Sequence, residues 1–242
     1  MTTASPLPTP SPLKNPIKTE FAVDMTCTSC VSSLNSALRP LPGIKSLDIS
    51  LPNKTVIIEG TTPPSTLLER IKSTGLAAVL RGQGSQSHLG AAVCIFESFA
   101  GAKGWAQNKN KGLARLVQVD DENCLVDVTV EGVPPGKHTV AIHECGDISG
   151  GCASTGAALA RLGILDVDEN GKGSLVSEAR DVKIWDMIGR SIVLDRKKDS
   201  ASDAMPSTGA TCGIIARSAG VFQNPKVVCS CSGQTLWEES KL

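Results

Sequence analysis

Two short segments of this chain carry sulfur at spacings that suit chemistry. Met25-Thr26-Cys27-Thr28-Ser29-Cys30 sets two thiols three residues apart, and Cys229-Ser230-Cys231 sets two more at a spacing of two. Thiolates select soft cations such as Cu(I) and Zn(II), or iron–sulfur centres, over hard metals. Cys27 is expected in a loop and Cys30 in the first turn of the helix that follows, so both sulfurs can converge on one ion. Helix N–H groups and the positive end of the dipole lower a thiol pKa there and offset the negative charge of a metal–dithiolate. A site with two protein ligands stays open to a third from a partner, which suits handing a metal on. In an extended chain both thiols of the second segment point to one side. They can clasp Cu(I) or close a strained, oxidising disulfide.

The 242 residues include nine cysteines, an odd number, against only three histidines, His88, His138 and His143. Some thiols therefore stay free or bind something, and metal chemistry here leans on sulfur. The 24 basic and 24 acidic side chains cancel, removing the electrostatic footprint of a nucleic-acid or anionic-membrane binder. Three Trp, four Phe and no Tyr leave little for base stacking. No apolar run approaches the ~18–20 residues that span a bilayer. Neither nucleic acid nor a membrane is expected as a partner. The first residues show neither a secretory h-region nor an Arg-rich amphipathic helix, so a cytoplasmic setting with mostly reduced thiols is expected.

The elements that must position these sulfurs follow from hydrophobic period. Residues 1–18 hold five prolines among Ser and Thr and read as a flexible arm. Over 19–82, Thr19–Val23 reads as a strand, Val31, Leu34 and Leu38 recur at helical spacing until Pro40, and Ile44–Ser50 and Thr55–Glu59 read as strands. Thr66 with Glu69 fits a capping box ahead of Leu67, Leu68 and Ile71, Gly75 ends that helix, and Leu76–Leu80 is a last strand. The order is β-α-β-β-α-β, an α+β ferredoxin-like arrangement. Residues 83–90 read as a linker. Over 91–221 the period becomes two, as in Val126, Val128 and Val130, in Val140 and Ile142, and in Ile192 and Leu194. Turn signals at 120–123, Pro134-Pro135-Gly136 and Asn170-Gly171 separate these runs, which predicts an all-β Greek-key barrel or sandwich. Residues 222–242 form a flexible tail with Cys229, Cys231 and Trp237.

Two local patterns are rejected. Asp166-Val167-Asp168-Glu169-Asn170-Gly171 opens like a calcium loop, but Ser177 stands at the closing position and no helix pair flanks it. A hairpin turn is expected there. Asn53-Lys54-Thr55 fits a glycosylation sequon in a chain without secretory features.

With Met25 ahead of the cysteines and the βαββαβ order behind them, residues 19–82 resemble the heavy-metal-associated domain of copper chaperones and copper-pumping ATPases, whose MxCxxC is matched in full. The resemblance implies Cys27 and Cys30 as Cu(I) ligands, with Met25 packed beneath the loop. Residues 91–216 resemble Cu,Zn superoxide dismutase, through Ala92-Val93-Cys94, Pro135-Gly136-Lys137-His138, His143-Glu144-Cys145-Gly146-Asp147, Gly151-Cys152, Gly189-Arg190-Ser191-Ile192-Val193-Leu194 and Ala210-Thr211-Cys212-Gly213. That family holds copper and zinc with six histidines and an aspartate. Here Ala141-Ile142-His143 replaces His-x-His, Asp195 stands at the late copper histidine, Ala157 or Ala158 at another ligand, and Gly209 at the substrate-guiding arginine. His138 and His143 are then expected to be structural, and Asp168 a relic of the zinc aspartate.

What the dismutase resemblance still implies is scaffold: a Cys152–Cys212 disulfide, and a dimer face at Val93, Ile95, Gly146, Ile188, Gly189 and Ile214 that would dock a dismutase subunit in place of a second copy. The three parts in this order, with the CxC in the tail, resemble the family of copper chaperones for superoxide dismutase across residues 19–242. The resemblance implies a metallochaperone in which Cys229 and Cys231 complete delivery and help form the target's disulfide. A homodimer, a copper importer at the membrane as source, and a fraction in the mitochondrial intermembrane space belong to the same expectation. The rival readings are a thiol–disulfide oxidoreductase and a dismutase with a fused copper-loading domain. Of the remaining cysteines, Cys94 is expected in a strand core and Cys124 in a hairpin turn, and Cys145 replaces a family Phe without evident reason.

Overall fold

The computed structural model describes residues 13–85, 89–97, 110–196, 205–207 and 209–221. The first domain comprises β1 (Ile17–Val23), α1 (Thr28–Leu38), β2 (Ile44–Ser50), β3 (Thr55–Gly60), α2 (Pro64–Lys72) and β4 (Ala78–Gly84). Its antiparallel sheet runs β2-β3-β1-β4, the ferredoxin-like order. Phe21, Val23, Val56 and Ile58 on one face of the sheet pack with Leu34 and Leu38 of α1 and Leu67 and Ile71 of α2. The 3.6-residue spacing of the helical apolar positions and the two-residue spacing of those on the strands make these faces meet.

The second domain is a closed eight-stranded antiparallel barrel. Its strands are β5 (Ala91–Glu97), β6 (Asn110–Gln118), β7 (Asn123–Val130), β8 (Gly136–His143), β9 (Ala158–Val167), β10 (Gly173–Arg180), β11 (Ser191–Arg196) and β12 (Thr211–Arg217), with the short α3 (Ile184–Met187) and a 3-10 turn at Gly151–Thr155. Around the barrel they run β10-β7-β6-β5-β12-β11-β8-β9. Closure leaves no free sheet edge. Val126, Val128, Val140, Ile142, Ile192 and Leu194 all point into its core, as their alternation predicts. No helix among the described residues is long and apolar enough to cross a membrane.

Four local expectations are corrected. The arm read over 1–18 yields to structure earlier: β1 begins at Ile17, and Leu13 is buried, its N–H bonded to the Thr61 carbonyl at 2.7 Å. Leu13 and Ile17 cover Val117 and Leu125 on the outside of the barrel, so the second domain supplies the apolar partner that the arm itself lacks. The last strand of the first domain is Ala78–Gly84, beyond the expected Leu76–Leu80 and into the linker, because Gly82, Gln83 and Gly84 pair with Glu20, Thr19 and Lys18 of β1. The Thr66–Glu69 capping box does not form. α2 starts at Pro64, and its N-cap residue, Pro63, makes no side-chain cap. Cys124 is the second residue of β7 and is fully buried in the barrel core instead of lying in a turn.

Candidate metal centre

Cys27 is the N-cap residue of α1, with extended backbone (φ −154°, ψ 172°), and Cys30 lies in the first turn, its N–H 3.2 Å from the Cys27 carbonyl. Met25 is buried in the core beneath them, while Cys27 is exposed and Cys30 half-buried against that core. The loop is thus anchored from below and open above. The two sulfurs stand 3.6 Å apart. A metal–thiolate bond is about 2.3 Å, so both sulfurs reach a single ion from this separation, and they meet it at a bent angle that leaves one side free. The residues present fit a soft ion. Among the described residues no group of three or more His, Cys, Asp or Glu is placed to hold a metal, so a third donor to Cys27 and Cys30 has to come from elsewhere.

The electrostatics favour the ionised sulfur. The Cys27 thiol is lowered to about 6, first by the Ser29 hydroxyl, 2.8 Å from its sulfur, then by the Cys30 N–H, the Cys30 thiol and the Ser29 N–H. The backbone donors lie at a helix start, where N–H groups point toward and stabilise an anion held in front of them. Thr26 places its hydroxyl 3.8 Å from the Cys30 sulfur. Ser29 escaped the sequence reading. Its only signal was a hydroxyl residue between the two cysteines, at a helix start.

In the barrel, the two described histidines and the other positions matching dismutase metal ligands carry structural bonds. His143 Nδ1 lies 2.8 Å from the Gly156 carbonyl and His138 Nε2 2.8 Å from the Pro134 carbonyl, and both rings are buried. Asp195 accepts the Ser207 N–H at 2.8 Å and the Ser207 hydroxyl. Asp168 accepts the N–H groups of Asn170 and Lys172 in the β9–β10 turn, the hairpin expected there. Each has a structural hydrogen bond, and none belongs to a group of three or more His, Cys, Asp or Glu placed to hold a metal among the described residues. Cys94 and Cys124 are buried, and burial pushes both thiols up to about 12. Such thiols are inert core residues. Cys145 is exposed and free, and nothing in the structure explains it.

Cys152, in the 3-10 turn, is bonded to Cys212 on β12, with Cα atoms 5.7 Å apart and a sequence separation of 60. The crosslink pins the loop after β8 against β12. Beside it, Val93, Ile95, Ile148, Gly213, Ile214 and Ala216 line a shallow apolar hollow of about 200 Å³. Ile95 is 48% and Ile214 41% exposed, although both are large and apolar. Of the six expected docking residues, Val93, Ile95 and Ile214 meet here. Gly146 adjoins them: a Cβ on it would strike the Gly189 carbonyl and touch Ile214. Gly189 donates to the Ile215 carbonyl at 2.9 Å with φ 83°. Ile188 instead packs against the barrel core and lines a separate cavity with Trp185 and Arg217. Ile148 and Ala216 join the face without having been singled out in the sequence. Cys229 and Cys231 lie outside the described residues.

The domains also match known families. Residues 20–76 match the heavy-metal-associated domain, and residues 110–161 match copper/zinc superoxide dismutase (SODC). Fold and site together define a metal-binding domain joined to a dismutase-type barrel. Relatives share both parts. The chain is 42% identical over 241 residues to the superoxide dismutase 1 copper chaperone of Debaryomyces hansenii, covering 90% of this chain and 92% of that one. It is 36% identical over 248 residues to the copper chaperone for superoxide dismutase of Mus musculus, covering 91% and 88%. It is 34% identical over 235 residues to the superoxide dismutase 1 copper chaperone of Saccharomyces cerevisiae, covering 91% and 93%. The chain belongs to the family of copper chaperones for superoxide dismutase.

Proposed function

We propose that this protein binds Cu(I) through the thiolates of Cys27 and Cys30 and delivers it to Cu,Zn superoxide dismutase. The observation that carries this reading is the pair of sulfurs 3.6 Å apart at a helix start, one exposed and both without a third ligand among the described residues. Two thiolates hold a monovalent soft ion, and the open side admits an incoming thiolate. Transfer then proceeds by exchange through a three-coordinate state, without release of bare copper.

The exposed apolar face at Val93, Ile95 and Ile214, with Gly146, Gly189 and Ile188 around it, docks a dismutase subunit as a heterodimer, and the same face serves a homodimer of this chain in the partner's absence. Cys229 and Cys231 take the ion onward. Promotion of the target's disulfide requires a two-electron acceptor. A Cys229–Cys231 disulfide fills that role by thiol–disulfide exchange, ending as a dithiol while two target thiols are oxidised. A copper importer at the membrane is the upstream source. The protein works in the cytoplasm, where the CxxC thiols stay reduced, with a fraction in the mitochondrial intermembrane space.

The test is to mix Cu(I)-loaded protein with reduced, copper-free dismutase and to follow complex formation, target disulfide and recovered activity together. All three are expected to rise in step. Activity recovered equally well from an inorganic Cu(I) source at the same free copper concentration would remove the chaperone role.

A further inference from the structure

Among the described residues, every buried side-chain nitrogen or oxygen that lacks a hydrogen-bond partner belongs to Arg81, Gln83, Ser85, Arg115 or Asp127. The first three lie on β4 or just after it, and the others face each other across the β6–β7 pair. β4 packs toward β6 and α2 toward β7, so the unpaired atoms gather where the two domains meet. The barrel's core contributes none. Native interiors pair nearly all such atoms, and an exception calls for an explanation.

One bond at this junction is well made. Asp127 Oδ2 accepts the backbone N–H of Ser65 at 2.8 Å. Ser65 is the second residue of α2, so its N–H is one of those that a helix start leaves without an intrahelical partner. A carboxylate at this end also meets the positive pole of the helix. The cap that Thr66 and Glu69 do not provide therefore comes from the other domain. Around that bond the junction is poorly satisfied. Arg115 and Asp127 are both at most 5% exposed, yet Arg115 Nε and Nη1 and Asp127 Oδ1 have no partners. Burial raises the Asp127 carboxyl and lowers the Arg115 guanidinium, each opposing its own charge. Buried charges short of hydrogen bonds can lose more by desolvation than they gain by attraction. The apolar share of the contact is small, Leu13 and Ile17 on Val117 and Leu125, and interfaces of this polar kind between domains permit relative motion.

We infer that the metal-binding domain rests on the barrel through a separable polar latch, the Ser65 N–H held by Asp127, and that the latch opens to release the CxxC domain as a folded unit. Opening returns Arg115 and Asp127 to water and forfeits the Asp127–Ser65 bond, the contacts of Lys14 with Glu178, the long contacts of Gln83 with Leu116 and Ala219 and a small apolar contact. This goes beyond the transfer role and is tested without copper, so its failure leaves that role untouched.

The test is native-state hydrogen exchange on the full chain, with small-angle scattering for overall dimensions. Ser65 N–H owes its protection to Asp127 alone, so its exchange reports the latch directly. Asp127→Ala should speed Ser65 exchange by about tenfold or more and enlarge the particle, while the amides of Val126 and Val128 in β7 keep their rates. Arg115→Leu with Asp127→Asn removes both buried charges but leaves an acceptor for Ser65. It should open no more than the native chain. Unchanged Ser65 exchange in Asp127→Ala would overturn the latch. So would loss of protection at Val126 and Val128 in step with Ser65, which would make Asp127 a support of the barrel. Opening of the double variant as wide as that of Asp127→Ala would show that the charges themselves hold the domains together.

Discussion

The Ser29 hydroxyl stands 2.8 Å from the Cys27 sulfur and is the largest influence holding that thiol down at about 6. A cysteine at the exposed N-cap of a helix is thereby kept ionised at neutral pH, ready for a soft metal. The contact is local, made within three residues, and it is a property of the metal-free protein.

The sign of its pH dependence follows. A depressed thiol is charged above its pKa and protonated below it, so alkylation of Cys27 by iodoacetamide, read peptide by peptide, should have a midpoint near pH 6. Ser29→Ala should move the midpoint toward the usual ~8.5 and slow alkylation at pH 7 by roughly two- to fourfold. Cu(I) retention should weaken below that midpoint, since protons and metal compete for the same sulfur. A midpoint near 8.5 in the native protein would contradict the hydrogen bond.

Cys27→Ser with Cys30→Ser removes both sulfurs of the first site. Cu(I) held against a weak competitor should be lost from this domain, and dismutase activation should fall to background. Thiol–disulfide exchange at Cys229 and Cys231 should persist. Activation that survives the double substitution would favour the oxidoreductase reading.

Ile95 and Ile214 are exposed, so a charge there is well tolerated by the isolated fold. Ile214→Asp should leave the thermal transition within a few degrees of native. It should weaken the complex with dismutase by roughly thirtyfold or more, as a charge in a desolvated interface centre does. Size-exclusion chromatography with light scattering would falsify the docking face if the complex formed undiminished.

The Cys152–Cys212 bond closes 60 residues of chain. In the loop-entropy account its removal by Cys152→Ala with Cys212→Ala destabilises the barrel by about 4 kcal/mol. Denaturant titration of the oxidised native chain and the double variant measures it. The first domain does not depend on this bond, so its Cu(I) stoichiometry should be unaffected.

Much of this protein was written locally. Cys27 and Cys30 had to be soft donors at a helix start, because a β-strand ending at Val23 and an apolar helical stripe from Val31 leave them nowhere else to lie. The alternation through Val126, Val128 and Val130 specified a strand with one core face. The scarcity of histidine by itself takes imidazole-rich metal chemistry from the barrel. Such features depend on residue type and on spacings of a few residues, which the chain carries in order.

What stands on the other side of a strand is a different matter. The alternation directs Asp127 away from the barrel core and says nothing of the helix that lands on it. Leu13 reads as part of a proline-rich arm until Val117 and Leu125 offer it a surface. Thr66 and Glu69 suit a cap, yet the donor that needed one, the Ser65 N–H, finds Asp127 sixty-two residues away. Only the tertiary structure decided these, and also the 3.6 Å between the two sulfurs. Periodicity reports which face of an element is apolar, whereas the partner of its polar face is set by contacts between segments that are distant in the chain.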